Sequence, residues 1–171
     1  MTDKMTPEQR HYCMSRIKAN DTKPEMIVRR FLWSQGIRYR LHKKGLPGKP
    51  DIVIARLHTV IFINGCFWHG HDCREHTPKS NTDFWVDKIS RNRRRDLENG
   101  IKLRAAGYNV ITIWECELSK PHRQETLDRL LSTLRAFEDV PVEKVPKPAA
   151  YSYPGEEYTP EVAEPGEDMY N

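Results

Sequence analysis

The chain predicts an α/β fold in which a mixed central sheet is flanked by helices. Two short runs rich in β-branched residues, 51–55 and 59–63, are separated by three residues and indicate strands joined by a hairpin. A further buried strand is expected at 109–114, after a long helical pattern. Because helices also precede and follow these strands, the order of elements favours a sheet with helical layers around it.

Two helix starts are clear in the N-terminal part of the chain. Thr6-Pro7-Glu8-Gln9 and Thr22-Lys23-Pro24-Glu25 both place Thr at the N-cap and Glu or Gln three residues later. The first helix should run to about Ala19. The second carries apolar residues at helical spacing and should stop at Gly36, a residue type typical of the position after a helix.

The remaining elements follow from local composition. Residues 37–41 indicate a strand, and 43–50, with two Gly and two Pro, indicate a loop. The long helix should span about 82–106 and end before Gly107. An amphipathic helix at 123–138 is expected to close the folded part of the chain.

The charge distribution divides the chain into two regions. Residues 141–171 hold seven acids, two lysines and six of the twelve prolines, a net charge of −5. This composition predicts a disordered tail after a single folded domain at 1–140. The remaining 140 residues carry a net charge of +9, which favours a polyanionic partner, although a basic surface also serves solubility alone.

The expected location is the cytoplasm. The chain has no apolar stretch long enough for a membrane span and no hydrophobic segment typical of a signal peptide at its start. Thiols are reduced in that compartment, so the four cysteines are expected to bind metal or stay free. We expect a monomer that does not associate with membranes.

The segment 64–73, N-G-C-F-W-H-G-H-D-C, has neither a helical nor a strand period. Cys66, His71 and Cys73 together with Cys116 form a Cys3His set, which suits a tetrahedral structural zinc with no position left open for water. The alternative is that these are scattered cysteines beside a solvated histidine. His76 is a rival ligand to His71, and Cys13 is expected to be a buried thiol.

Several motifs together resemble the very short patch repair endonucleases of the restriction-endonuclease-like superfamily. They are L-P-G-K-P-D at 46–51, V-I-F-I-N-G-C-F-W-H-G-H-D-C at 60–73, F-W at 84–85 and I-W-E-C at 113–116. The resemblance implies a restriction-endonuclease-like fold and an enzyme that nicks duplex DNA 5′ to the thymine of a T·G mispair left by deamination of 5-methylcytosine. It also implies a cytoplasmic enzyme that is nucleoid-associated when bound to DNA.

The resemblance also assigns chemical roles to particular residues. Mg²⁺ is expected on the Asp51 carboxylate and on the main-chain carbonyl of Ile63, and His69 is expected to act as general base. Asp96 matches a residue that orients His69, although it could simply pair with neighbouring arginines. Glu25 matches an acid close to the metal, and its capping position explains it equally well.

Residues for DNA contact are implied in the same way. The intercalating wedge of the family falls on Phe67, Trp68 and Trp85, and Met14 matches a residue that approaches from the minor groove. The alternative for these rings is ordinary core packing. Phosphate contacts are expected from the long helix, where a charge run is otherwise a solvated face. The residues concerned are Lys88, Arg91, Arg94 and Arg95, within a basic run that also holds Arg93, Lys102 and Arg104.

One departure from the family pattern concerns catalysis. A second active-site histidine of known members is Asn64 here, which can hydrogen-bond but cannot exchange a proton at neutral pH. Two alternatives therefore remain beside the mismatch endonuclease. One is a restriction-like nuclease of other specificity, and the other is a zinc-stabilised DNA-binding module without catalysis. A catalytic zinc hydrolase is disfavoured, because four protein ligands leave no open position.

Overall fold

A computed structural model describes residues 20–73 and 81–139, together with the single residues 6, 8, 9, 12, 15 and 16. Of the first predicted helix, Glu8, Gln9, Tyr12 and Ser15 are helical, while its bounds fall outside the described residues. Met14, Cys13, His76 and the predicted tail 141–171 also lie outside them.

Three longer helices and four strands make up the described part of the chain. None of the helices in this part is long and apolar enough to cross a lipid bilayer. Short 3-10 turns at Ala55–Leu57 and Glu115–Leu118 follow two of the strands. The elements are α1 (Lys23–Ser34), β1 (Arg40–Leu41), β2 (Ile52–Ile54), β3 (Thr59–Asn64), α2 (Thr82–Ala105), β4 (Asn109–Trp114) and α3 (Arg123–Asp139).

The strands form one mixed sheet in the order β1-β2-β3-β4. The pairs β1/β2 and β2/β3 are antiparallel, and β3/β4 is parallel, with Thr59 opposite Asn109 and Asn64 opposite Trp114. A parallel pair needs a long crossover connection, and α2 lies within it. The prediction of an α/β fold with a mixed sheet is therefore confirmed.

The predicted strand at 37–41 is wrong in its first half, because only Arg40 and Leu41 are paired. The reason lies in how α1 ends. Gly36 adopts a left-handed conformation with φ 73°, and the Ile37 N–H donates to the Leu32 carbonyl at 2.9 Å. The N–H of Ile37 thus satisfies a helix-end carbonyl, so the strand begins only after this closing turn.

The two faces of the sheet differ in what covers them. Alternation along the strands places Ile52, Ile54, Ile61 and Ile113 on one side, the apolar face, where residues of α1 and α3 form the larger buried cluster. The opposite side, the site face, carries a small cluster of Val53, Val60 and Leu103. Leu103 is the residue that α2 contributes to this cluster, and a cavity lies between other parts of the helix and the sheet.

Candidate active site and metal centre

The functional residues collect where β3 ends, on the site face. Asp51 immediately precedes β2, and Asn64 is the last residue of β3. The loop from Cys66 to Cys73 follows without a break. Since β2 and β3 are antiparallel, the start of one strand and the end of the other lie side by side.

Asp51 is held by the backbone of β3. Its Oδ2 accepts a hydrogen bond of 2.7 Å from the Ile63 N–H. The N–H and C=O of one residue in an extended strand point to the same edge, so the Ile63 carbonyl faces the same side as this carboxylate. Burial raises the pKa of the Asp51 carboxyl, and the nearby Glu25 carboxylate raises it further, while the bond from Ile63 lowers it. A cation beside Asp51 would stabilise the ionised carboxylate and so offset the energetic cost of burying its charge.

Glu25 caps α1 and also lies at the cavity that contains Asp51. It caps α1, because its N–H donates to the Thr22 hydroxyl oxygen at 3.4 Å while its carboxylate accepts from the Thr22 hydroxyl and the Asp21 N–H, at 2.9 and 3.0 Å. It is only 3% exposed. It also lines, with Asp51, Ile63 and His69, a cavity of about 360 Å³. The cap therefore fixes a carboxylate at the wall of this cavity.

His69 and Asp96 form a hydrogen-bonded pair that joins the loop to α2. The His69 Nδ1 lies 2.5 Å from an Asp96 carboxylate oxygen. With Nδ1 engaged in this way, a neutral imidazole presents Nε2 as its acceptor. Asn64, 9% exposed, lines the same cavity as His69. The structure thus brings together all five residues named as catalytic from the sequence: Glu25, Asp51, Asn64, His69 and Asp96.

The Cys3His set is also assembled. One donor atom from each of Cys66, His71, Cys73 and Cys116 lies within 4.8 Å of the others. Burial raises the pKa of the Cys66 thiol to about 12 and raises that of Cys116 as well, so thiolates at this place require a positive charge. Three sulfurs and one imidazole suit a tetrahedral soft metal ion.

Local structure explains how a loop brings its ligands to one point. The His71 N–H donates to the Cys66 carbonyl at 2.9 Å, which folds the segment back on itself. The His71 ring stacks on Trp114 of β4, with ring centroids 4.3 Å apart and an interplanar angle of 6°. Cys116 follows β4 directly. A metal at this site would therefore connect the loop to the end of a core strand.

The predicted aromatic wedge exists as a cluster. The Phe67 ring lies 5.0 Å from that of Trp68 and 5.1 Å from that of Trp85, both edge to face. Phe84, 40% exposed, extends the cluster at 5.3 Å from Trp85. The Lys88 ammonium lies 5.5 to 5.8 Å from the centroids of three of these rings. Four rings and a cation thus form one partly exposed surface beside the active-site cavity.

The basic residues of α2 do not share one side of the helix. Lys88 lies on the aromatic cluster, and Arg91 pairs with Asp87 at 2.9 Å. Arg95 donates to the Asn92 side chain at 3.0 Å. Arg94 is nine residues after Trp85, which places it about 180° around the helix from that ring. The helix therefore presents positive charge in several directions.

Four further residues at the site were not expected from the sequence. Lys49 lines the cavity beside Asp51 with a left-handed backbone at φ 47°, and Glu115 lines it from the turn after β4. Trp114 supports a metal ligand, and Phe84 extends the ring cluster. Lys49 and Glu115 are sequence neighbours of Asp51 and Cys116, and that adjacency was the available signal.

Comparison with known proteins defines the class of this site as that of DNA-nicking endonucleases. The type II nicking enzyme V.NmeAIP of Neisseria meningitidis is 49% identical over 137 residues, which cover 79% of this chain and 98% of that protein. The type II nicking enzyme V.XorIIP of Xanthomonas oryzae is 49% identical over 120 residues, 70% of this chain and 88% of that protein.

The particular family follows from two further matches. The family model described as DNA mismatch endonuclease Vsr matches residues 2–75. The DNA mismatch endonuclease Vsr of Escherichia coli is 39% identical over 106 residues, 61% of this chain and 68% of that protein. The chain belongs to the Vsr family, as the resemblance read from its motifs implied.

Proposed function

We propose that this chain is a magnesium-dependent endonuclease of restriction-like fold that nicks duplex DNA 5′ to the thymine of T·G mispairs arising from deamination of 5-methylcytosine. The observation that carries the proposal is a single cavity lined by Asp51, Ile63 and His69, with His69 hydrogen-bonded to Asp96, directly beside an aromatic cluster. The similarity to the DNA mismatch endonuclease Vsr of Escherichia coli supports a mismatch substrate.

The cavity supplies oxygen ligands of the kind that Mg²⁺ prefers. The Asp51 carboxylate and the Ile63 carbonyl face one edge, and Glu25 stands close enough to raise the pKa of Asp51. When bound, Mg²⁺ supplies positive charge against the scissile phosphate. Because Ile63 would contribute only its carbonyl, a change of its side chain should leave this role intact.

His69 is proposed to take the proton of the attacking water at Nε2. Asp96 holds the opposite ring nitrogen and so fixes the orientation of the imidazole. Asn64 lines the cavity and can hydrogen-bond there, but its amide exchanges no proton at neutral pH. More of the proton transfer is therefore assigned to His69.

The ring cluster is proposed to select the substrate through the energy of opening a base step. Inserting rings between base pairs costs a few kcal/mol, and a mismatched step costs less to open than a paired one. Phe67, Trp68 and Trp85 are proposed as the inserting rings, with Lys88 at their edge. Arg91, Arg94, Arg95 and Met14 stay predicted DNA contacts.

The Cys3His cluster is proposed to hold a structural zinc. All four ligand atoms come from the protein, so no position is left for a catalytic water. Such a zinc would fix the loop that carries Phe67, Trp68 and His69 to the end of β4. The metal would thereby position both the inserting rings and the general base.

The test is a nicking assay with an end-labelled T·G duplex and its T·A counterpart, in magnesium, with the cut mapped to the nucleotide. Asp51→Ala should lower the nicking rate by at least about a thousandfold, since several kcal/mol of charge stabilisation would be lost. Mismatch binding should remain. Asp128→Ala, a carboxylate of α3, is the matched control. A fully active Asp51→Ala enzyme would refute the proposal.

A second candidate is a mismatch-binding module without catalysis, which the presence of Asn64 favours. It predicts zinc and preferential T·G binding, yet no nick with any divalent ion. A third outcome, cleavage of the T·A duplex at the same rate, would indicate a nuclease of other specificity. The same substrate panel separates all three.

A further inference from the structure

A second cavity lies between α2 and the open part of the site face. Its volume is about 710 Å³. Four residues of α2 that follow one line along the helix, Arg93, Leu97, Gly100 and Arg104, form one wall, here called the groove stripe. The sheet contributes the opposite wall through Val110, Thr112 and Trp114.

Two arginines stand near the ends of this groove in fixed positions. A Cβ added at Gly70 would lie 3.0 Å from the Arg93 Cδ, and one at Gly100 would lie 3.1 Å from an Arg104 guanidinium nitrogen. Each arginine therefore lies along a glycine that leaves room for it. Among the residues that the structure describes, neither Arg93 nor Arg104 forms an ion pair.

The groove has an excess of positive charge. Lys49 and Arg95 line it together with the two arginines of the groove stripe, against the carboxylates of Asp72 and Asp96. Asp96 is already engaged by His69. The guanidiniums of Arg93 and Arg104 thus remain available to an anionic partner, and the apolar residues between them favour one that is not charged throughout.

The groove and the ring cluster lie on adjoining sides of α2. Phe84, Lys88 and Arg91 follow one another along the flank that carries the ring cluster. Arg93 lies nine residues after Phe84, which is about 180° around the helix, and eight residues after Trp85, which is about 80°. The groove also shares Asn64 and His69 with the active-site cavity, so an occupant of the groove would stand next to a bound duplex.

The end of α3 lies near the turn between β2 and β3. Glu138 of α3 pairs with Arg56 in this turn. In the same turn, the His58 carbonyl accepts the Asn109 N–H at 2.7 Å, and the His58 ring lies 5.7 Å from that of Tyr108. Arg104 lies in the last turn of α2, four residues before Tyr108. The chain therefore leaves α3 at the same end of the sheet as one arginine of the groove stripe.

We propose that residues 141–171, the tail, dock into this groove against Arg93 and Arg104. The 31 residues of the tail include seven acids, two lysines, four tyrosines and six prolines. Its extended length is about 100 Å, more than enough to follow the groove. Because the groove shares Lys49, Asn64 and His69 with the active-site cavity, a docked tail reaches the entrance of that cavity.

The experiment measures binding of a peptide and uses no DNA, so it is independent of the proposed nicking activity. A full-length variant is made in which the seven tail acids are replaced by the corresponding amides, Glu by Gln and Asp by Asn. It is titrated into a fluorescein-labelled peptide of residues 141–171 at low salt, and binding is followed by fluorescence anisotropy. The peptide should bind, and wild-type protein should bind it at least about tenfold more weakly, because its own tail competes at high effective concentration.

Two paired variants locate the site. In the background with the amide tail, Arg93→Gln with Arg104→Gln should weaken peptide binding about tenfold, as expected for two charge-assisted contacts. Arg91→Gln with Arg94→Gln removes the same charge from other sides of α2 and should change it less than about threefold. Far-UV circular dichroism and zinc content establish that each variant is folded.

Three results would overturn the inference. The first is no peptide binding, and the second is an equal loss in both paired variants, which would show general attraction to a basic body. The third is a single-stranded oligonucleotide that binds with the same dependence on Arg93 and Arg104 while the peptide does not. That last result would assign the groove to nucleic acid.

Discussion

The two faces of the sheet are built from the same strands and differ in almost everything else. On the apolar face, Val28, Leu32 and Leu134 are at most 1% exposed and pack in one cluster with the isoleucines of β2 and β3. On the site face, within the described part of the chain, three buried residues form a cluster, and the surface beyond them carries carboxylates, imidazoles and cysteines. Alternation along a strand thus lets one sheet separate stability from chemistry.

The first prediction concerns a substitution that should disrupt the site face and leave the packing of the apolar face intact. Cys116→Ser should lose the metal and lower nicking by at least about a hundredfold, because structural zinc contributes several kcal/mol or more to local folding. Far-UV circular dichroism should change little, since α1 and α3 pack mainly through the buried apolar cluster, to which Cys116 does not belong. The readouts are zinc content and nicking rate.

The fourth cysteine provides the control for this substitution. Cys13→Ser should keep one zinc per chain and wild-type activity, because Cys66, His71, Cys73 and Cys116, all within the described residues, already supply four ligands. Equal metal loss from both variants would contradict the assignment of the ligand set.

The second prediction breaks the apolar face. Leu134→Ala should lower the free energy of unfolding by about 2–5 kcal/mol, since Leu134 is 1% exposed and its removal leaves a cavity. The nicking rate of the folded fraction should stay near the wild-type value at low temperature. Leu97→Ala, at a residue that is 64% exposed, should cost less than about 0.5 kcal/mol in the same chemical denaturation.

The third prediction concerns the pair that orients the proposed base. Asp96→Asn should lower the nicking rate about 10–100-fold, as for other residues that hold a functional imidazole in place. Its thermal midpoint should stay close to that of wild type. Asp87→Asn, which loses only an exposed ion pair with Arg91, is the matched control on the same helix and should remain active. An active Asp96→Asn enzyme would leave the pair without a catalytic role.

The smallest expected effect tests whether the buried Asp51 carboxylate on the site face lowers the stability of the folded protein. Burial raises the pKa of Asp51, so the folded protein holds this proton more tightly than the unfolded chain. Stability therefore falls as the pH rises from the ordinary carboxyl pKa through the raised one, and the cost persists above it. In magnesium-free buffer Asp51→Asn should raise the thermal midpoint at pH 7, with a gain that narrows at acidic pH. A lower midpoint at pH 7 would contradict this.

Much of this organisation could be predicted from local sequence. The capping of α1 by Thr22, the end of α2 before Gly107 and the Cys3His set all depend on residues whose role is set by their neighbours or by strict ligand chemistry. The resemblance read from the motifs supplied Asp51, His69 and Asp96, which the structure brings together, although their roles stay proposals.

What the sequence did not predict depends on tertiary contacts. Ile37 was assigned to a strand because its apolar character suits one, whereas its N–H is used to end α1. The sequence does not decide whether Glu25 serves as a helix cap or as a residue of the cavity. The fold shows that its carboxylate does both. The stacking of Trp114 on His71 joins residues more than forty positions apart, and no local pattern encodes it.

The continuity of β3 into the cysteine loop has a mechanical consequence. Ile63 and Phe67 are four residues apart, so the backbone between the proposed cation ligand and the first ring spans at most about 14 Å. Under the proposed function, the length of this stretch determines how many nucleotides separate the base step opened by the rings from the phosphodiester bond that is cut. One extra residue inserted after Gly65 should shift or abolish the cut rather than merely slow it.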